Sequence, residues 1–379
     1  MTRQVLARHL AAMLGSMDIL RERCGAAFAT LALLCAGCSD RSSDGRYPAS
    51  YPAEYQTIVS QAERGGRLVV WSTTDRDQVT ELLAAFAVKY PRILVDYREM
   101  NARDIYRRFL DGASRNAVPA DLLWSSAMDL QIKLVNDGYT QRFVSPERRE
   151  IAQWANWKNQ AWGVTAEPIV FVYNRRQMAA TAAPDSHSTL RDALVEQQAL
   201  RGKVATYDPS VSAFGYLLAT YDELADHRLM QTAAALRTAK ASLLSSSQEV
   251  LDQVGDGKAT LGYNVIGSYA AEYARQHPDL AVVVPKDYAL VVSRIAIIPA
   301  AAPHPDAAKV FLTFLLSREG QELLAWHSMP SVRRDVPTPK ALVVDGTIRK
   351  EIRVGPALLV TQDQLTKESF LQKWQAKSR

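Results

Sequence analysis

The sequence predicts an α/β protein of two lobes whose sheets are mixed and mostly parallel, and three observations carry that prediction. Short apolar runs of strand length alternate with segments whose apolar residues recur at helical spacing; this alternation occurs in two separate stretches; and longer apolar strands lie where the chain would cross between them. The chain is 379 residues long and 47% hydrophobic, enough for two or three domain-sized cores.

Taken in order, Arg67-Leu-Val-Val-Trp71 is a strand, and Val79, Leu82, Leu83 and Phe86 recur at i, i+3, i+4 and i+7 as a helix that stops before Tyr90-Pro91. Residues 93–97 form the next strand, 104–110 a helix ended by Gly112, 121–124 a strand, and 127–137 a helix stopped by Gly138. That is a doubly wound, parallel unit. Residues 169–173 read as a crossover strand. A second unit comes next: strand 204–207 and a helix through Leu217, Leu218 and Tyr221, then strand 260–263 and helix 268–275. Residues 280–284 and 289–299 are strand-like, and helix 305–316 buries Ala307, Val310, Phe311 and Phe314.

The N-terminus is a separate matter. All three cysteines (Cys24, Cys35, Cys38) fall in the first 38 residues, so the rest of the chain has no thiol and no disulfide. Arg21-Glu-Arg23 leads into about a dozen uncharged, mostly apolar residues and then Ala36-Gly37-Cys38, the pattern of a signal peptide. That run is shorter than the ~20 residues a membrane-spanning helix needs. Small residues before Cys38 resemble the lipobox of bacterial lipoproteins, which implies lipidation at Cys38; Cys35 stands where that motif usually has Leu, and a plain secretory signal is the alternative. Met17 would start a signal of ordinary length. Residues 39–52, rich in Ser, Asp and Pro, have linker composition.

Charge excludes one class of partner. Of 45 Lys+Arg and 40 Asp+Glu, 41 and 38 lie beyond residue 37, too even a balance for a nucleic-acid backbone. Catalytic signatures are also missing: the sequence has no Gly-x-Ser-x-Gly, His-Glu-x-x-His or Gly-x-Gly-x-x-Gly, and no cysteine nucleophile in its body. Gly255-Asp-Gly-Lys reads as a turn before a strand. The body histidines are expected at the surface, and Arg333 and Arg334 in solvent.

The residues just past each strand are more telling. Ser72 and Thr73, Ser125 and Ser126, Ser210, Ser212 and Ala213, and Tyr263 and Asn264 stand at four expected strand ends, two per lobe, where helices begin. Each hydroxyl has an ordinary use as a helix N-cap. Together with free helix N–H groups they suit a polar ligand bearing a carboxylate, phosphate ester or phosphonate. Arg294, a charge inside the apolar run VVSRIAII, is either an anion clamp or half of a structural ion pair.

These segments resemble the solute-binding proteins of bacterial ABC importers, in the two-lobed type II branch that includes ferric-ion, phosphonate and sugar-phosphate binders. The resemblance spans residues 64–336 and rests on RLVVWSTTD, PADLLWSSAMD, TAEPIVFVYN, KVATYDPSVSAFGYL, LGYNVIGSYA and, most specifically, PHPDAAKVFLTFLLSREGQELLA followed by SVRRDV. It implies two lobes closing on one ligand, a non-enzymatic role without cofactor, a monomer in the periplasm tethered through Cys38, and delivery to an inner-membrane permease. The implied organisation is a signal at 1–37, a linker at 38–62, lobe 1 from 63–166 plus about 285–336, lobe 2 from 167–284 and a C-terminal helical segment at 337–379. Crossovers near Glu167 and residue 285 would form the hinge, with Glu167 in the ligand site. Ferric binders of this branch use adjacent tyrosines; here Tyr263 and Tyr269 are separated, so an oxyanion-bearing solute is the first expectation and ferric ion the second. A sensor for a receptor kinase is the remaining alternative.

Overall fold

The computed structural model describes residues 45–375 except 116 and 344. The signal segment, Cys38 and the start of the expected linker lie outside the described residues. The end of that linker is folded: α1 (Ala53–Gly65) buries Tyr55, Val59 and Ala62 on one stripe.

The first sheet is then built by strand–helix steps. β1 (Arg67–Ser72) is buried from its second residue onward. Leu68 and Val70 enter one core and Val69 and Trp71 another, which is why the strand reads as a continuous apolar run. α2 (Thr80–Lys89), β2 (Leu94–Glu99), α3 (Ala102–Ser114), β3 (Leu122–Ser125) and α4 (Met128–Asn136) come next, and β1 lies parallel between β2 and β3. Gly112 does not end α3 but lies inside it, where a Cβ would come 2.8 Å from the carbonyl oxygen of Ala117. β4 (Asn156–Trp157) and β5 (Ala161–Gly163) pair antiparallel at the far edge.

The chain next passes into a second sheet through β6 (Glu167–Asn174), buried along its whole length. α5 (His187–Glu196), β7 (Val204–Tyr207), α6 (Ala213–Asp226), α7 (Leu229–Thr238), β8 (Ser242–Leu244), α8 (Ser247–Gly255), β9 (Leu261–Ile266), α9 (Gly267–Gln276), β10 (Leu280–Val283) and β11 (Tyr288–Val292) make up this lobe. β7 runs parallel to β8 and β9, whereas β6 is antiparallel to β9, β10 and β11. Because β11 belongs here, the return crossing falls at Ser293-Arg294 and not near residue 285. β12 (Ile295–Ile297) then inserts antiparallel between β3 and β5, and α10 (Pro305–Leu316) and α11 (Arg318–Trp326) complete the first lobe.

The C-terminal segment is not only helical. β13 (Ile348–Glu351) extends the second sheet beside β11. Ile352, Val354 and Leu358 enter a cluster that also holds Val69 and Phe109 of the first lobe and Leu217 and Tyr288 of the second. α12 (Gln364–Gln375) lays Trp374 on the second lobe. Among the described residues no helix is long and apolar enough to cross a membrane.

Candidate functional site

Four chain segments meet at the seam between the lobes, and one ion pair holds them. Arg294, 1% exposed, donates from Nε and Nη2 to the two carboxylate oxygens of Glu167 at 3.0 and 3.2 Å and from Nη1 to Thr74 Oγ1 at 2.9 Å. Glu167 also accepts from Thr165 Oγ1 at 2.6 Å and from the Ser268 hydroxyl. One pair thereby ties the end of β1, both crossings and the start of α9. Burial works to raise the Glu167 carboxyl, but the Arg294 charge and the donated hydrogen bonds hold it below the usual carboxylate range. Of the two readings open for Arg294, the structure has the structural ion pair. Glu167, expected to face ligand, is its buried partner. The Tyr269 ring lies beneath the guanidinium, 5.1 Å from centroid to Cζ.

On the lobe-1 side, Ser72 and Ser125 are buried, and each hydroxyl turns back to an N–H of its own loop, Thr74 N at 3.0 Å and Ala127 N at 3.1 Å. Each hydroxyl thereby has an ordinary local use as an acceptor, with its O–H donor still to place. Thr73 and Ser126 differ: both are half-buried, their hydroxyls lie 3.3 Å apart across the ends of β1 and β3, and Ser126 N donates to Thr73 Oγ1 at 2.9 Å. They form the polar floor of this lobe.

On the lobe-2 side, Ser212 is the N-cap of α6, accepting from Gly215 N at 3.1 Å. Gly215 is required there, since a Cβ would meet Tyr207 Cβ at 2.6 Å. Ser210 is exposed and donates to Asp208 Oδ1 at 2.6 Å; Ala213 is the exposed first residue of α6. α9 starts at Gly267, where a Cβ would come 2.7 Å from the Pro168 carbonyl oxygen, and no side chain caps it.

Tyr263 and Asn264 are not at a strand end. β9 runs on to Ile266, and both residues are buried inside the lobe, where Tyr263 Oη and Asn264 Nδ2 each donate to Asp222 Oδ2 at 2.7 Å. Tyr288 Oη donates to the other oxygen at 3.1 Å. Burial and the Asp222 charge push the Tyr263 hydroxyl well above its ordinary range. Tyr263→Phe is therefore expected to lower stability by about 1–3 kcal/mol, because one buried acceptor loses a donor, while ligand affinity stays within about twofold; paired melting and calorimetry check it.

Two surface expectations also fail. His187 is buried, stacked on Tyr288 at 3.9 Å and bonded to Asp287 at 3.0 Å. Arg333 is buried against Glu147 and Asp335; Arg334 is exposed.

Sequence reasoning passed over Asp75. It stands at the N-cap position of a short 3-10 turn yet caps nothing. It is half-buried, and burial together with the neighbouring Glu99 raises its carboxyl, an effect that Arg294 opposes. Tyr269 of the other lobe is raised by burial, an effect that the Arg294 charge opposes, with a smaller rise from the charge of Asp75. Among the described residues no group of three or more His, Cys, Asp or Glu is placed to hold a metal ion.

Comparisons with known proteins agree with this layout. The substrate-binding protein of an ABC transporter from Agrobacterium tumefaciens shares 35% identity over 83% of this chain and 95% of its own, with a TM-score of 0.75. Iron-bound HitA from Pseudomonas aeruginosa (19% identity, 80% and 99% covered, TM-score 0.67) and the ferric binding protein from Campylobacter jejuni (15%, 81% and 98%, 0.64) share the fold. A search of curated protein sequences finds no match. With residues 68–327 matching the family described as bacterial extracellular solute-binding protein, and two lobes meeting at a polar seam, the chain belongs to that family of two-lobed solute-binding proteins.

Proposed function

We propose that the protein is the solute-binding component of an ABC importer, exported to the periplasm, held at the membrane by a lipid on Cys38, and delivering a small oxyanion-bearing solute to an inner-membrane permease as a monomer. The carrying observation is the seam: the Thr73–Ser126 hydroxyl pair of one lobe stands beside Thr74, which accepts from Arg294, and the start of α9 of the other is bonded to Glu167 through Ser268, with Tyr269 against the guanidinium. Hydroxyls and helix-start N–H groups are donors suited to a phosphate ester, phosphonate or carboxylate.

The test is calorimetry with a panel of these acids on wild type, Thr73→Val and Ser126→Ala. Loss of a hydrogen bond to a charged ligand costs about 1.5–3 kcal/mol, or roughly 10- to 150-fold in Kd. Unchanged affinity in both variants for an acid that binds the wild type would remove these hydroxyls from the site. A second reading, ferric ion, is favoured by the ferric-binding proteins of the same fold and by a tyrosine, Tyr269, at the seam. It is weakened by Tyr263, which Asp222 holds in the core. Ferric citrate in the same titration decides between them. Fatty-acid labelling that vanishes in Cys38→Ala tests the anchor.

A further inference from the structure

We infer that the back of the hinge holds a small tetrahedral oxyanion, of the size and charge of inorganic phosphate or sulfate, between Arg334 of lobe 1 and Arg349 of the strand that the tail adds to lobe 2. This site is separate from the seam and does not depend on the importer reading. The inference starts from the crossing at Glu167. Side chains alternate along an extended chain, and Glu167 turns to Arg294 at the floor of the seam. Its neighbours Ala166 and Pro168 border two adjoining cavities on the other side, of about 340 and 150 Å³. Thr338 and Arg349 line both cavities.

The larger cavity is lined by three arginines and, among the described residues, by no Asp or Glu. Arg333 is committed elsewhere, because Glu147 and Asp335 accept from it. Arg334 is exposed and makes no hydrogen bond or ion pair with described residues. Arg349 has one carboxylate near it, Glu351 at 3.8 Å, and both are partly exposed, so the pair is worth little. Thr338 is half-buried, and its hydroxyl has no partner among the described residues. Two uncommitted guanidinium groups on one concave space repel each other when nothing negative accompanies them, and their planar N–H forks match the oxygens of a tetrahedral anion. A volume of about 340 Å³ takes such an ion with part of its water. The two arginines also belong to different bodies. Arg334 is fixed to lobe 1, since Ile151 pairs with its neighbour Arg333 and Ala152 N donates to the Val332 carbonyl at 3.0 Å. Arg349 is fixed to lobe 2, since β13 pairs with β11. An anion held by both ties the lobes at their back and favours the lobe angle that keeps the two arginines together.

The experiment titrates the mature protein with sodium sulfate and with inorganic phosphate by calorimetry, with ionic strength held constant by sodium chloride. The wild type is expected to bind one anion with a Kd of about 1 mM or tighter. Arg334→Gln and Arg349→Gln should each weaken this about 10-fold or more, the effect of losing a hydrogen bond between charged groups. Arg349→Lys should keep only part of the affinity, since an ammonium supplies the charge without the fork. Sulfate should also slow hydrogen exchange at residues 164–168 and 292–295 in the wild type and not in the double variant Arg334→Gln with Arg349→Gln. Thr73→Val, at the seam, is expected to leave anion binding unchanged. The reverse pattern, weakening in Thr73→Val and none in the arginine variants, places the anion at the seam and overturns the proposal while the importer reading stands. Without anion the arginine variants should melt within about 2 °C of wild type, as only a weak surface pair is lost. A larger drop assigns these arginines to the fold and overturns the proposal, as does the absence of saturable binding to the wild type.

Discussion

Glu167→Ala is expected to lower stability by about 3–5 kcal/mol, the range for removing one partner of a buried ion pair. The cause is not the loss of one attraction. With Glu167 gone, Arg294 keeps its charge in a site where it is 1% exposed, and both carboxylate oxygens that accept from it are lost. The hydroxyls of Thr165 and Ser268 lose their acceptor in the same step. For a protein of this size the melting temperature should fall by about 4–7 °C. The double variant Glu167→Leu with Arg294→Met is expected to recover most of the loss, since an apolar pair of similar volume removes the uncompensated charge. Acid should reproduce the single variant. Glu167 has a folded-state pKa below its ordinary one, so its contribution is fully present above the unfolded value of about 4.3 and disappears as pH falls through the folded value. The melting difference between wild type and Glu167→Gln should accordingly shrink in that window. A Glu167→Ala protein melting within 2 °C of wild type would contradict this account of the floor.

How much of this was legible in the sequence depended on whether the cause of a feature was local. β1, β3 and β7 are short apolar runs buried on both faces and followed by helices, so run length and helical period located them. β9 was legible only to Tyr263, because the polar pair Tyr263-Asn264 makes the run look finished. The strand continues because Asp222, 41 and 42 residues away, accepts from both side chains. Asn264 takes φ +63 there, opposite a register shift between Val170 and Val172. Nothing near position 263 in the chain announces an acceptor on α6. The same holds at the floor: Arg294 stood out as a charge in an apolar run, but its partner lies 127 residues earlier. Spacing cannot choose between a ligand and a carboxylate. Asp75 was hidden for the opposite reason, since its position offered an adequate local use, and only the missing cap bond shows that the use is not made.

Ending the chain at Glu351 is expected to abolish folding, because the tail beyond it is part of both lobes. Among its described residues four side chains are buried: Ile352 and Leu358 at 0%, Val354 at 2% and Trp374 at 7% exposure. At about 1.5–3 kcal/mol for each large apolar side chain removed from water, their loss is comparable with the whole stability of a protein, about 5–15 kcal/mol. Val354 N also donates to the Trp154 carbonyl at 2.8 Å, fixing the tail to the first lobe before α12 reaches the second. Point variants separate the two attachments. Leu358→Ala should cost about 2–5 kcal/mol and increase hydrogen exchange in both α4 and α6, since its cluster holds Leu134 and Val135 of the one and Leu217 and Leu218 of the other. Trp374→Ala should cost about 3–5 kcal/mol and increase exchange in α7, where Arg237 donates to the Trp374 carbonyl, with little change in α4. If Leu358→Ala instead melts within a degree of wild type and alters exchange in neither helix, the tail is an appendage, and the seam between the lobes is held by the floor at Arg294 and Glu167 without it.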